Sequence, residues 1–70
     1  MKKLLKKYDL QSEHEYFEMI NESLINGQRK EAKEQFLAMP RNNRKTYVNF
    51  NLRQDCAIEQ SDLAMLICLI

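Results

Sequence analysis

The sequence is poor in the residues that shape loops, with one glycine (Gly27), one proline (Pro40) and no tryptophan. Tight turns depend on glycine and proline, so their scarcity excludes collagen-like sequence and disfavours a β-protein with many hairpins. A single glycine also excludes a glycine-rich phosphate-binding loop. The chain is therefore expected to be mainly helical.

Cysteine and histidine are scarce as well. Cys56 and Cys68 form no CxxC pair, which excludes a cysteine-cluster zinc site and a dense disulfide framework, and we expect reduced thiols in the cytoplasm. Any catalytic triad would have to use His14, the single histidine. We therefore expect no enzymatic activity, no cofactor and no metal. A minor alternative is a metal site at His14, Glu18 and Glu22, because a spacing of four residues places side chains on one helix face.

Long apolar runs are also lacking. Residues 1–7 have the lysines typical of a signal peptide but only two leucines, whereas a signal peptide needs an apolar region of roughly 7–15 residues. Residues 63–70 are all apolar, yet a bilayer span takes about 20 residues. We expect no secretion signal and no membrane span. A length of 70 residues predicts one small domain over 1–70.

The charges are balanced overall but segregated along the chain. The net charge is +1, which argues against bulk attraction to a polyanion. Residues 1–8 carry +4, residues 9–26 carry −5, residues 27–53 carry +5 and residues 54–70 carry −3. This alternation predicts attraction between successive helices, although exposed pairs contribute about 0–1 kcal/mol each.

A first amphipathic helix is predicted for residues 12–26. Ser12 and Glu15 have the spacing of a capping box, in which each side chain binds the other residue's backbone N–H. Apolar residues then recur with the helical period, and glutamates occupy the opposite side. The apolar set is Tyr16, Phe17, Met19, Ile20 and Leu24, and the acidic set is Glu15, Glu18 and Glu22. We expect the apolar set to face the core.

A second helix is predicted for residues 28–38. Gly27 fits the left-handed position that ends a helix, because glycine has no Cβ to clash there. Pro40 should end the second helix near Ala38. Its apolar stripe consists of Ala32, Phe36 and Met39, widened by Leu37. Residues 12–26 and 28–38 are thus predicted to form an antiparallel hairpin.

Five residues of this hairpin have a recurrent spacing. An aromatic residue is followed three positions later by a large apolar one, a glycine marks the turn, and an alanine precedes an aromatic by four positions. These residues are Tyr16, Met19, Gly27, Ala32 and Phe36. The pattern over residues 16–40 resembles a tetratricopeptide-repeat hairpin, with departures at Ile20, Ser23 and Met39 and no second repeat. The resemblance implies a scaffold that binds proteins and lacks catalytic residues.

Two interpretations are open for residues 47–53. Val48, Phe50 and Leu52 alternate with polar residues as in a strand, whereas Tyr47, Val48, Asn51 and Leu52 share one helix face. A lone strand has no evident partner, so we favour a helix that begins at Asn42 or Asn43.

The last helix is predicted over about 62–69, after the start signal Ser61-Asp62. The complete prediction is an all-α fold, a bundle of three or four short helices built on the hairpin. A short helix cannot bury eight consecutive apolar residues, so the tail 63–70 is either the centre of the core or an interface.

Two functions follow from these features. The preferred one is a small non-enzymatic module that binds a protein partner or itself through the apolar tail, with Leu63, Met65, Leu66, Ile67 and Leu69 as the interface. The alternative is a regulator that binds nucleic acid through a basic region, with Arg29, Lys33, Arg41, Arg44 and Lys45 as the contacts.

Overall fold

The computed structural model describes residues 1–53 and 58–70. These residues form five helices and contain no strand, so the predicted all-α fold is confirmed. The helices are α1 (Lys2–Lys7), α2 (Glu13–Ile25), α3 (Arg29–Ala38), α4 (Arg41–Arg53) and α5 (Gln60–Ile67). Cys56 lies outside the described residues.

The hairpin of α2 and α3 follows the sequence prediction closely. The Ser12 hydroxyl accepts a hydrogen bond from the Glu15 backbone N–H at 3.3 Å, as in a capping box. The Glu15 carboxylate, however, accepts from the backbone N–H of Gln11 at 3.1 Å and not from that of Ser12. Gly27 has φ +80°, which confirms its left-handed role in the turn.

Pro40 separates α3 from α4 without a long loop. Met39 is extended (φ −75°, ψ 148°), the conformation favoured before a proline, and α3 ends at Ala38 as predicted. The Pro40 carbonyl then accepts from the backbone N–H groups of Asn43 and Arg44 at 3.0 and 3.1 Å. Residues 47–53 belong to α4, so the favoured helical interpretation is confirmed.

The core is built by helices α2, α3, α4 and α5 and by the segment before α5. Its fully buried large side chains are Tyr16, Ile20, Phe36, Met39, Tyr47 and Leu66. Ala32 is also fully buried, and its small side chain suits the close approach of α2 and α3. Half-buried Leu4, Leu5 and Tyr8 place α1 against this core.

Helices α2 and α4 run parallel to each other. Each contact joins a residue of α2 to the residue 30 positions later in α4, and such contacts recur every four residues along both helices. The pairs are Glu13 with Asn43, Phe17 with Tyr47, and Asn21 with Asn51. The contact is therefore continuous over about two helical turns.

Three details of the sequence prediction need correction. Leu37, predicted in the apolar stripe of the second helix, is 48% exposed, and Leu52, predicted on one helix face with Tyr47, Val48 and Asn51, is 63% exposed. Helix α5 begins and ends two residues earlier than predicted, because the chain is already helical from Gln60 and Ser61 lies inside the first turn.

Candidate interaction surface

The apolar tail contributes mainly to the core. Leu63 and Leu66 are buried, which makes them unsuitable as interface residues in the folded chain. Met65 and Leu69 are half-buried and pack against the core, and Ile67 is 42% exposed. Of the five residues predicted as an interface, Ile67 therefore offers the largest exposed fraction.

The predicted basic site is divided by its own contacts. Arg29 forms an ion pair with the buried carboxylate of Asp62 at 3.1 Å, which ties α3 to α5. Arg44 is half-buried, and its Nη1 donates to the Leu69 carbonyl oxygen at 3.4 Å. These two side chains have structural roles, so the predicted set of five does not form one open surface.

The remaining members of that set are exposed on two helices. Lys33 lies on α3 between Glu31 and Glu34, whereas Arg41 and Lys45 lie on α4. Helix α4 contains no acidic residue. Its exposed cations are therefore not screened by carboxylates of the same helix.

We define the acidic face of α2 as Glu15, Glu18, Glu22 and Ile25. Spacings of three and four residues align these exposed side chains along the side of α2 that points away from its buried residues. Helix α2 contains no lysine or arginine. Ile25, at 59% exposed, ends the face at the C-terminus of the helix.

We define the basic face of α4 as Arg41, Lys45 and Leu52. A separation of 11 residues is close to three helical turns, so these exposed residues share one side of the helix. Leu52 ends this face near the C-terminus of α4, in the position that Ile25 has on α2. Among the large hydrophobic residues that the structure describes, Leu52 and Ile25 are the two most exposed.

The opposite charges of the two faces do not neutralise each other within the chain. In residues 1–53 and 58–70, the ion pairs join His14 to Glu18 at 2.8 Å and Arg29 to Asp62. Neither pair connects α2 with α4, and neither connects α2 with α3. The Arg29–Asp62 pair joins the basic segment 27–53 to the acidic segment 54–70, so the predicted charge attraction is expressed there but not, within the described residues, between α2 and α3 or α4.

A groove of about 470 Å³ lies beside the contact of α2 and α4. Its lining residues are His14, Phe17, Thr46, Asn49, Phe50 and Arg53. The Phe50 ring packs edge-on to His14 and tilted to Phe17, with centroid separations of 5.0 and 5.6 Å. Because the groove involves neither the acidic nor the basic face, it is a separate candidate site.

The metal site considered at His14, Glu18 and Glu22 is not formed. His14 and Glu18 meet, but in the described residues no cluster of three histidine, cysteine or carboxylate side chains could hold a metal ion. Cys68 is an exposed free thiol. None of the helices in the described part of the chain has the length and apolar character needed to cross a bilayer.

The sequence prediction missed Ile25, Leu52 and Arg53. Leu52 is instead predicted on a helix face with Tyr47, Val48 and Asn51, and Ile25 is absent from the apolar set predicted for the first helix. A helical projection could have found Ile25, since it falls beside Glu18 and Glu22 and away from the buried positions of α2, but not Leu52, which falls next to buried Val48. Arg53 was counted in the charge of residues 27–53 but not assigned to a site.

In comparisons with known proteins, no family model, curated protein or solved structure matches the chain. The resemblance of residues 16–40 to a tetratricopeptide-repeat hairpin rests on the five positions given above.

Proposed function

We propose that the chain is a small protein-interaction module that associates with copies of itself by placing the acidic face of α2 against the basic face of α4 of a second copy. The proposal rests on one observation. Two neighbouring helices carry opposite exposed charges, and no ion pair joins them in the described residues.

A second copy fits both faces in charge and in polarity. Glu18 and Glu22 of one copy can pair with Lys45 of the other, and Glu15 can pair with Arg41. When the two helices are aligned in parallel, Ile25 lies opposite Leu52, because each ends its face at the C-terminus of its helix. The contact thus combines ion pairs with an apolar end.

The expected association is weak and depends on salt. Exposed ion pairs contribute about 0–1 kcal/mol each, and full burial of a leucine or isoleucine contributes about 1.5–3 kcal/mol. These contributions have to offset the translational and rotational entropy lost on association. We expect dissociation in 1 M salt, where the screening length falls to about 3 Å.

Sedimentation velocity of two charge-reversal variants tests the proposal. Glu18→Lys with Glu22→Lys reverses the acidic face, and Arg41→Glu with Lys45→Glu reverses the basic face. Each variant alone should be monomeric at concentrations where the wild type associates. An equimolar mixture of the two variants should associate again, because the complementary charges are restored on different chains.

The matched control is Lys30→Glu with Lys33→Glu, which reverses two exposed cations of α3 outside both faces. It should associate like the wild type. A wild type that stays monomeric at low salt up to about 1 mM would contradict the proposal, because pairing at that concentration needs only about 4 kcal/mol. So would association that persists unchanged in both reversed variants.

A second candidate function, nucleic-acid binding through α4, is favoured by the composition of that helix. Arg41 and Lys45 are exposed beside the amides of Asn42 and Asn49, with no carboxylate on the helix. Cations of this kind contact phosphates, and asparagine amides can read base edges. The glutamates of neighbouring α2 oppose this function by repelling phosphates.

One neutralised variant separates the two candidates. Glu18→Gln with Glu22→Gln should weaken self-association but strengthen binding of a labelled DNA or RNA duplex, because it removes repulsion and leaves α4 intact. Fluorescence anisotropy in low salt provides the measurement. If the wild type shows no binding at low salt, nucleic-acid binding is excluded, since phosphate contacts are strongest there.

A further inference from the structure

The groove between α2 and α4 combines an aromatic wall with unused polar groups. Thr46, Asn49, Phe50 and Arg53 follow one another at helical spacings on α4, so they line one side of the groove. His14 and Phe17 of α2 line the opposite side. Apolar surface from Phe50 therefore lies next to side chains that can form hydrogen bonds.

Two of these polar side chains are available to a ligand. Within the described residues, neither the Asn49 amide nor the Arg53 guanidinium has a hydrogen bond or ion pair. The Thr46 hydroxyl, by contrast, donates to the Asn42 carbonyl oxygen at 2.9 Å, and His14 Nε2 contacts Glu18 Oε1. Asn49 and Arg53 lie four residues apart on α4, so they can contact the same group.

The lining carries positive charge and no carboxylate. An arginine guanidinium binds a carboxylate through two parallel hydrogen bonds, and a neighbouring amide can donate a third. A planar ring can pack against a phenylalanine in an offset or edge-on arrangement. The groove volume of about 470 Å³ also falls within the roughly 300–1,000 Å³ range of small-molecule sites.

We propose that this groove binds a small planar aromatic carboxylate, with the ring against Phe50 and the carboxylate on Arg53 and Asn49. The site is open on one side, so part of the ring stays in solvent and the affinity is modest. The proposal uses none of the residues of the acidic or basic face. Its outcome is therefore independent of the proposed self-association.

Titration of the full chain with three probes, followed by amide chemical shifts in NMR spectra, tests the ligand class. Indole-3-acetate carries both the ring and the charge, indole-3-acetamide carries the ring without the charge, and acetate carries the charge without the ring. Indole-3-acetate should shift amides of residues 46–53 and bind about tenfold more tightly than the amide, the factor expected for a hydrogen bond to a charged group. Acetate should give no saturable shift.

Variants of two groove residues and of one residue outside the groove assign the contacts. Arg53→Gln should weaken binding of indole-3-acetate by about tenfold and leave binding of indole-3-acetamide unchanged. Phe50→Leu should weaken both ring-bearing probes. Lys30→Gln removes an exposed charge outside the groove and outside both charged faces, and it should change neither affinity.

Three results would overturn the proposal. One is equal affinity for the acid and the amide, which means that the carboxylate is not recognised. Another is an affinity of the Arg53→Gln variant for indole-3-acetate that equals the wild-type affinity. The third is the absence of any saturable shift in residues 46–53 at millimolar probe concentration, with the wild-type spectrum showing a folded chain.

Discussion

Helix α2 makes two contacts that differ in how they are specified, one with α3 and one with α4. The contact with α3 is local, because the Gly27 turn joins the two helices directly. Its polar bonds run from the Tyr16 hydroxyl to the Gln35 carbonyl oxygen at 2.6 Å and from the Ser23 hydroxyl to the Gln35 side-chain oxygen at 3.1 Å. These bonds join residues that are only 19 and 12 positions apart in the sequence.

The contact with α4 is not local and depends on a polar ladder. The Tyr47 hydroxyl donates to Asn21 Oδ1 at 2.6 Å, Asn21 Nδ2 donates to Asn51 Oδ1 at 2.9 Å, and Asn51 Nδ2 donates to the Tyr47 carbonyl oxygen at 3.0 Å. Sliding α4 by one turn would separate Asn21 from both partners. Apolar packing therefore brings α2 and α4 together, whereas the amide bonds select one register.

The largest expected effect is at Phe36, which packs against Tyr47, a residue of the contact between α2 and α4. Its fully buried ring lies on α3 and meets the Tyr47 ring of α4 with centroids 5.6 Å apart. Phe36→Ala should lower the free energy of unfolding by about 3–5 kcal/mol through lost burial and a cavity. A domain of this size has a total stability in the same range, so circular dichroism at 25 °C should show a largely unfolded chain.

Leu37→Ala is the matched control for this substitution. It removes a large side chain from the next position on α3, but Leu37 is 48% exposed. Its cost should stay within about 0.5 kcal/mol, as is usual for surface positions. Equal urea midpoints for the two variants would contradict the assignment of Phe36 to the core.

A double-mutant cycle on the polar ladder tests the contact with α4 alone. Asn51→Ala should cost about 1–3 kcal/mol, because buried partners lose their hydrogen bonds. Asn21→Ala removes the opposite end of the same bond, so the double variant should cost less than the sum by about 0.5–3 kcal/mol. Strictly additive costs in urea unfolding would show that the two amides are not coupled. The exposed Asn49→Ala serves as the control.

The local contact with α3 could be predicted from the sequence, and the non-local contact with α4 could not. The hairpin was predictable because the Ser12 cap, the Gly27 turn and the apolar stripes are local signals that lie within one stretch of chain. The polar ladder was not, since Asn21 and Asn51 have the composition of surface residues. Their burial depends on two helices that meet across 30 residues of sequence.

The candidate surfaces were predictable in chemistry but not in position. The net charges of residues 9–26 and 27–53 predict one acidic and one basic region. In the structure the acidic face lies on α2 and the basic face lies on α4. The sequence does not decide whether the tail residues Leu63 and Leu66 belong to the core or to an interface. They belong to the core because α5 packs against α3 and α4.

A single hydroxyl tests the contact with α3. Tyr16 binds the Gln35 carbonyl, which lacks its usual partner because the Met39 N–H donates to Phe36 at 3.2 Å. Tyr16→Phe leaves this carbonyl buried without the phenol, so the free energy of unfolding should fall by about 1–2 kcal/mol. Urea unfolding at pH 7 provides the measurement. Stability equal to that of the wild type would show that the bond contributes nothing.

Alkaline pH gives a second test of the same group. Burial, with a smaller contribution from nearby Tyr8, raises the pKa of Tyr16 from 10.0 to about 12. Between these values the unfolded chain has lost the phenol proton and the folded chain retains it, so stability should fall as pH rises, by about 1.4 kcal/mol per pH unit. Below pH 10 this contribution is constant. Tyr16→Phe should show a shallower decline above pH 10 than the wild type.

The smallest expected effect concerns the turn that makes the contact with α3 local. Gly27 has φ +80°, and a Cβ placed there would meet no atom within 4 Å, so any cost of a side chain comes from the backbone alone. Gly27→Ala should therefore destabilise the chain by about 1 kcal/mol. A chemically synthesised chain with D-alanine at this position should instead be more stable than the wild type by about 0.4–1 kcal/mol, because the D-residue favours positive φ and restricts the unfolded chain. If thermal unfolding shows that L-alanine lowers the stability and D-alanine raises it, the effect is due to backbone conformation. If both residues lower the stability equally, the turn tolerates no side chain and its geometry is set by packing.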